Sequence, residues 1–215
     1  MGTRAPQQRS AKDLVYAFVK ERVLDGSYAG GELLSEGEVS EALGVSRTPV
    51  REAFLLLEAE GLMRLYPKRG ALVVPVSADE IRDVLETRLV IERHTAERVA
   101  RGGPDLGAEL AALLERQERL LDRGDHLGFA EADRRFHGTI VAAAGNAILT
   151  GLYDSLRERQ RRMSATTAAR APDVARRFLE EHRGIADALA RRDPKAAGAR
   201  VEAHLRGARA ELGAS

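Results

Sequence analysis

Cysteine is absent from this chain of 215 residues, and aromatic residues make up only 4% of it. Without cysteine the chain has no disulfide bonds, no thiolate metal ligands and no cysteine nucleophile. Few aromatic residues beside abundant alanine, leucine, arginine and glutamate favour helices. At this length the chain can hold one large domain or two small ones.

Long hydrophobic runs are also absent. No apolar run approaches the roughly 18–20 residues that cross a bilayer, and no signal peptide opens the chain. We therefore expect a soluble, cytoplasmic protein without a membrane partner.

The chain also lacks a strong charge of either sign, since its formal net charge is +1. Its first 75 residues contain ten Lys or Arg and ten Asp or Glu. Many DNA-binding domains are clearly basic. Binding to DNA would therefore depend on locally placed arginines and on two copies acting together.

Residues 35–53 predict two short helices joined by a tight turn. Ser35 followed by Glu38 is a capping box, which begins a helix. Gly44 stands where that helix must end, often in the left-handed conformation. Ser46 can cap the second helix. This is the pattern of a helix-turn-helix, whose second helix enters the major groove of DNA.

Residues 61–75 predict two short strands around the turn Pro67-Lys-Arg-Gly70. A hairpin with a basic tip directly after the second helix forms a wing that can lie along a phosphate backbone. An ordinary helical hairpin is the alternative for residues 35–53, and the wing disfavours it. The candidate DNA-binding residues lie at the start of the second helix and at the tip of the wing: Ser46, Arg47, Thr48, Arg51, Arg69 and Gly70.

Four stretches resemble the winged helix-turn-helix of GntR-type bacterial transcription regulators: Ser35-Glu36, residues 43–53 (Leu-Gly-Val-Ser-Arg-Thr-Pro-Val-Arg-Glu-Ala), 57–62 and 69–70. The resemblance implies a DNA-binding domain over residues 10–75, and we expect residues 1–9 to be disordered. A single winged helix without net charge should bind weakly, so we expect a homodimer on a double-stranded operator with an inverted repeat. The family often has a basic residue where this chain has Gly37, and polar residues where it has Leu55 and Leu56.

Beyond Pro75 the whole pattern is helical. Ser77 with Glu80 is a second capping box. Glycine and proline breaks then divide the chain into six predicted helices, near residues 78–101, 105–123, 126–144, 147–168, 173–191 and 194–212. Six helices without strands predict an all-α antiparallel bundle over residues 76–215, so the fold class is mostly α.

Four metal-capable side chains point into the predicted bundle. Asp133 and His137 share one helix face at spacing i, i+4, while His182 and His204 lie within the apolar stripes of two other helices. Any one of these histidines alone would be a hydrogen-bonded core residue. Together they can satisfy one another by sharing a divalent cation.

The same residues resemble the FCD effector domain of the FadR-like subfamily of GntR regulators, in which an aspartate and three histidines hold a metal. The resemblance implies that Asp133, His137, His182 and His204 are the ligands. Zinc, nickel, manganese and iron all suit these donors, and zinc is slightly favoured.

Arg88 lies on the inward face of the first bundle helix, and a buried arginine requires an anionic partner. That partner is either a carboxylate of the bundle or the carboxylate of a small acid whose other oxygens complete the metal coordination. His94 and His126 are expected to be structural or solvated.

Two functions fit this arrangement. The bundle is either a sensor that couples a small carboxylate metabolite to DNA affinity, or a metal-dependent hydrolase-like domain fused to a DNA-binding module. Catalysis would require a general base beside the metal that is not itself a ligand, and no His-Glu-x-x-His motif supplies one. We therefore predict a ligand-responsive transcription regulator, a repressor rather than an activator, and no enzyme.

Overall fold

The computed structural model describes residues 10–167 and 172–212, without the side chains of residues 165–167 and 172. The segment 1–9, which we predict to be disordered, lies outside the described residues. The chain divides into two compact units, one ending at Val76 and the other starting at Ser77. No described helix is long and apolar enough to cross a membrane.

In its described part, the N-terminal unit contains three helices and three short strands. They are α1 (Ala11–Leu24), β1 (Leu33–Leu34), α2 (Glu36–Leu43), α3 (Arg47–Ala59), β2 (Met63–Tyr66) and β3 (Gly70–Val73). Helix α1 packs against α3, and their apolar faces form a core with the sheet. Val15, Val50 and Leu57 are completely buried in this core.

The helix-turn-helix is largely built as the sequence predicts. Ser35 Oγ accepts a hydrogen bond from Glu38 N at 3.0 Å, and Glu38 Oε2 accepts one from Ser35 N at 3.1 Å. Gly44 ends α2 in the left-handed conformation, with φ of 64°. Ser46 is the N-cap residue of α3 as predicted, but its side chain makes no capping hydrogen bond. A capping side chain accepts from the second or third N–H of its helix, and the third residue of α3 is Pro49, which has none.

The predicted wing is confirmed. Strands β2 and β3 are antiparallel, with Met63 opposite Val73 and Tyr66 opposite Gly70. A third strand, β1, pairs with the other edge of β3 and was not predicted, giving the order β1-β3-β2. Two residues are too few to show the alternation by which a strand is recognised.

The C-terminal unit is all helical in its described part, as predicted. Its helices are α4 (Ala78–Gly102), α5 (Gly107–Asp122), α6 (His126–Ala143), α7 (Ala147–Ser155), α8 (Arg157–Thr167), α9 (Pro172–Ala190) and α10 (Pro194–Glu211). Helix α4 packs against α10 and α6, and α9 packs against α5 and α10. Helices α4, α6, α9 and α10 thereby surround a common interior.

The single helix predicted for residues 147–168 is wrong, since the chain breaks at Leu156 into α7 and α8. Leu156 N donates to Tyr153 O at 3.1 Å, a tightened bond three residues back. The next helix restarts at once, with Gln160 N donating to Leu156 O at 2.9 Å. No glycine or proline marks this break in the sequence.

The second capping box is half formed. Ser77 Oγ accepts a hydrogen bond from Glu80 N at 3.1 Å and caps α4. The Glu80 carboxylate faces α8 instead, where Oε1 lies 3.7 Å from Arg159 Nε and 3.6 Å from Arg162 Nη1. Two arginines therefore compete with the backbone N–H of Ser77 for this carboxylate.

Candidate metal centre and nucleic-acid interface

The four predicted metal ligands lie together in the interior of the C-terminal unit. Asp133 and His137 come from α6, His182 from α9 and His204 from α10. One ligand atom of each lies within 4.8 Å of the others. The three histidines are buried, and Asp133 is partly exposed.

Apolar neighbours on each helix bring these polar side chains inward. Phe136 is completely buried beside His137 and stacks on the His182 ring, with centroids 4.9 Å apart. Ile185 follows His182 by one turn, and Leu205 follows His204, and both are buried. The hydrophobic stripes of three helices therefore position the cluster.

The outer nitrogen of each imidazole faces an oxygen. The Nδ1 atoms lie 2.8, 2.8 and 2.7 Å from their partners: Glu92 Oε2 for His137, Gln117 Oε1 for His182 and Glu181 Oε2 for His204. An oxygen acceptor at Nδ1 assigns the imidazole proton to that nitrogen. Each Nε2 then carries a lone pair that points into the cluster.

The inner atoms of the cluster are consequently all electron-pair donors. His137 Nε2 and His182 Nε2 lie 3.2 Å apart, and Asp133 Oδ1 lies 3.1 Å from His182 Nε2. Without a proton or a cation between them, these atoms repel one another. One carboxylate and three imidazoles, each with an oxygen within 2.8 Å of its outer nitrogen, fit the coordination of a divalent metal.

The protonation states also fit a metal. Burial lowers the pKa of His182 to about 3, and burial likewise lowers the pKa of His204. For Asp133, burial acts in the opposite direction, but contact with His182 and the charge of Arg88 hold the pKa of its carboxyl well below the usual range. Neutral imidazoles and an ionised carboxylate are the forms that bind metals.

Arg88 is buried on α4, and its anionic partner is a carboxylate of the bundle, one of the two predicted alternatives. Its Nε donates to Glu92 Oε1 at 2.6 Å, and Tyr153 OH donates to the same oxygen at 2.8 Å. Its Nη2 has no hydrogen-bond partner among the described residues. Sequence analysis missed Glu92, although its i, i+4 spacing from Arg88 was a usable signal.

A cavity of about 150 Å³ adjoins the cluster. Arg88, Asp133 and His204 line one part of it, and most of its remaining wall is apolar. Two further buried donors in this wall, Arg134 Nε and Gln160 Nε2, have no partner in the described structure.

The two remaining histidines lie outside the cluster. His94 is exposed on α4. His126 is partly buried at the start of α6, and it lines the cavity.

The candidate DNA-binding residues of α3 lie at its exposed start. Ser46, Arg47, Thr48 and Arg51 are all exposed, as is Arg69 in the turn of the wing. Gly70 differs, because it is partly buried with φ of 114°. A Cβ atom at this position would collide with the carbonyl oxygen of Leu34. Gly70 therefore permits β3 to pair closely with β1, whether or not it contacts DNA.

Arg51 is held by a neighbouring helix. Its Nε and Nη2 donate to Glu36 Oε1 and Oε2, at 2.9 and 3.0 Å. Beside this pair, a Cβ atom added to Gly37 would lie 3.7 Å from Arg47 Nη2. Both arginines therefore lie near the start of α2, and a Cβ atom at position 37 would make only an ordinary contact with Arg47.

Comparison with known proteins covers both units. Residues 11–73 match the family of bacterial regulatory proteins called gntR, and residues 83–207 match the FCD domain. An HTH-type transcriptional regulator of Agrobacterium vitis is 35% identical over 60% of this chain and 78% of its own length. The HTH-type transcriptional repressor RspR of Escherichia coli K12 is 30% identical over 89% of this chain and 84% of its own.

The fold is shared with solved structures. A protein described as a GntR transcriptional regulator from Rhodococcus sp. RHA1 superposes with a TM-score of 0.76 and is 26% identical. The match covers 95% of this chain and 98% of the other.

Proposed function

This chain belongs to the GntR family of bacterial regulatory proteins and carries an FCD domain, and we propose that its helical unit is a metal-containing sensor of a small organic acid. The protein is a DNA-binding transcription regulator. We do not retain the hydrolase alternative, because the family and the relatives of this chain are transcription regulators. Relatives named as repressors, such as RspR, favour repression.

The observation that carries the proposal is the orientation of three imidazoles. Each Nδ1 faces an oxygen acceptor, which leaves each Nε2 lone pair for the ion that the four clustered ligands would share. Asp133, His137 and His204 would hold the ion together with His182. A bound divalent cation would supply positive charge and open coordination positions for a carboxylate oxygen.

Arg88 would orient the effector beside the ion. Its Nε is already paired with Glu92, which keeps the guanidinium fixed, while Nη2 faces no partner among the described residues. A planar guanidinium with an unused N–H suits a carboxylate. The cavity next to Arg88 and His204 has room for such a ligand.

The arrangement of the ligands offers a route to regulation. They come from α6, α9 and α10, so metal and effector would together fix three helices relative to one another. An effector changes DNA affinity only if it binds two conformations differently. We further propose a homodimer that binds an inverted repeat, because the DNA-binding half has no net charge to support binding as a single copy.

Elemental analysis of protein purified without a histidine tag tests the metal. We expect about one equivalent per chain for the wild type and for His94→Ala, and none for His182→Ala. Metal should also raise the melting temperature of the wild type, since a ligand that binds only the native state stabilises it. A wild-type protein without metal, whose melting temperature does not respond to zinc, nickel or manganese, would show that the cluster is a polar core network.

A further inference from the structure

Three residues that line the cavity each have a buried polar atom without a hydrogen-bond partner among the described residues. The residues are Arg88, Arg134 and Gln160, and the atoms are Nη2, Nε and Nε2 respectively. All three are donors. A buried donor without a partner loses its hydration without compensation, so the cavity favours a ligand that supplies several acceptors.

The three donors form two separate groups. Arg88 is on α4 beside the metal ligands, where it contacts Glu92. Arg134 is on α6 and Gln160 on α8, and both also line an open groove between α5, α6, α7 and α8. Arg134 and Gln160 therefore line both the cavity and this groove, whereas Arg88 is not among the residues that line the groove.

Arg134 shares its acidic partner with two other arginines. Glu131 lies 2.6 Å from Arg134, 3.2 Å from Arg135 and 3.3 Å from Arg157. Four acidic and four basic residues line the groove, so a preference for anions comes from Arg134 itself, a cation whose Nε has no partner among the described residues. A charged donor of this kind favours a negatively charged acceptor over a neutral one.

Most of the other residues that line the cavity are apolar. Leu85, Phe129, Met163 and Phe178 line the cavity together with small aliphatic residues. Its volume of about 150 Å³ holds on the order of ten water-sized groups. This suits a short aliphatic chain with a polar group at each end.

We infer that the effector is a short dicarboxylate, with one carboxylate at Arg88 and the metal ligands and the other at Arg134 Nε and Gln160 Nε2. The inference rests on the proposed function, because the first carboxylate occupies the effector site proposed above. It adds a second anionic subsite and assigns it to Arg134 and Gln160.

Matched pairs of acids test the inference. Isothermal titration calorimetry on full-length, zinc-loaded protein would compare malonate, succinate, glutarate and adipate with propanoate, butanoate, pentanoate and hexanoate. Each pair has the same number of carbon atoms and differs in the second carboxylate. We expect at least one dicarboxylate to bind about tenfold or more tightly than the monocarboxylate of the same length. A factor of this size is what one added hydrogen bond to a charged group contributes to binding.

Variants separate the two subsites. Gln160→Leu removes a donor that is already unpaired, so the fold should be retained, and it should abolish most of the preference for the dicarboxylate. Gln160→Glu has nearly the same shape but adds a negative charge, and it should weaken the dicarboxylate more than the monocarboxylate. Arg88→Lys keeps a positive charge beside Glu92 but loses the planar guanidinium group. It should therefore weaken the binding of both acids of a pair to the same extent.

The outcomes distinguish this inference from the proposed function. If wild-type protein binds both members of every pair equally and Gln160→Leu changes neither, the dicarboxylate inference is wrong while the carboxylate sensor stands. If no acid of either series binds zinc-loaded wild-type protein, the proposed effector site itself is wrong.

Discussion

At the scale of single residues, Glu92 connects the two halves of the proposed sensor site. Its carboxylate contacts Arg88, Tyr153 and the outer nitrogen of His137. Burial would raise the pKa of Glu92, but the charge of Arg88 and contact with His137 lower it well below the usual range. One buried, ionised group therefore holds both the arginine that we propose to bind the effector and a proposed metal ligand in position.

Replacing this carboxylate tests its importance. Glu92→Gln keeps the shape but leaves the buried charge of Arg88 without a partner, which should lower the free energy of unfolding by about 3–5 kcal/mol. Loss of an outer partner of a metal-binding histidine should also weaken metal binding about 10- to 100-fold. Chemical denaturation and a competitive metal titration would measure the two effects.

The matched control lies on the same helix. Glu97 has the same i, i+4 relation to Arg93, but that pair is at the surface, with the arginine side chain 52% exposed. Glu97→Gln should change stability by less than about 1 kcal/mol and leave metal affinity unchanged. If Glu92→Gln and Glu97→Gln had equal effects on stability and metal affinity, Glu92 would have no special role.

The buried histidines predict how stability depends on pH in metal-free protein. Burial lowers the pKa of His182 from 6.5 to about 3, so between these values the unfolded chain binds a proton that the folded chain does not. Stability is therefore greatest above about pH 6.5 and falls as the pH drops towards 3. Urea denaturation of chelator-treated protein should show this loss, and His182→Gln should show less of it. An equal pH dependence of the two proteins would contradict the assignment.

At the scale of helices and strands, sequence patterns predicted best where local chemistry decides the structure. The capping box at Ser35 and the left-handed Gly44 depend on a few neighbouring residues, and both were predicted correctly. The break at Leu156 and the strand β1 were missed, because the first has no local signal and the second requires β3 as a partner.

The candidate metal site could likewise be predicted only in part. Helical periodicity alone places all four proposed ligands on inward faces, and the structure brings them together. The acceptors behind them, Glu92, Gln117 and Glu181, could not be assigned, since each comes from a different helix than the histidine it contacts. Such partners depend on the packing between helices, which a single sequence does not reveal.

One prediction concerns base recognition by helix α3. Arg51 is exposed and held by a two-pronged contact with Glu36, which orients it before DNA is bound. Arg51→Ala should lose about 1–3 kcal/mol of binding and relax base preference at one position if it reads a guanine. Anisotropy titrations with selected and random DNA would measure both. A uniform loss on all sequences would show that Arg51 contacts only phosphate.

At the scale of the whole molecule, the protein combines a DNA-binding unit without net charge with a helical unit that we propose to bind an organic anion. The proposed homodimer compensates for the weak electrostatics of one copy, because two recognition helices bind two half-sites. The proposed effector would then act on DNA binding through a change in the population of conformations.

The most direct test measures DNA affinity while the sensor site is altered. Full-length, metal-loaded protein would be titrated with DNA selected from a randomised pool, with and without the tightest-binding acid. We predict that the acid weakens binding about tenfold or more, and that neither chelator-treated protein nor His204→Ala responds to it. The proposal of a metal-centred sensor would be contradicted if the acid weakened DNA binding equally in metal-loaded wild type, chelator-treated wild type and His204→Ala. It would also be contradicted if the acid had no effect on metal-loaded wild type.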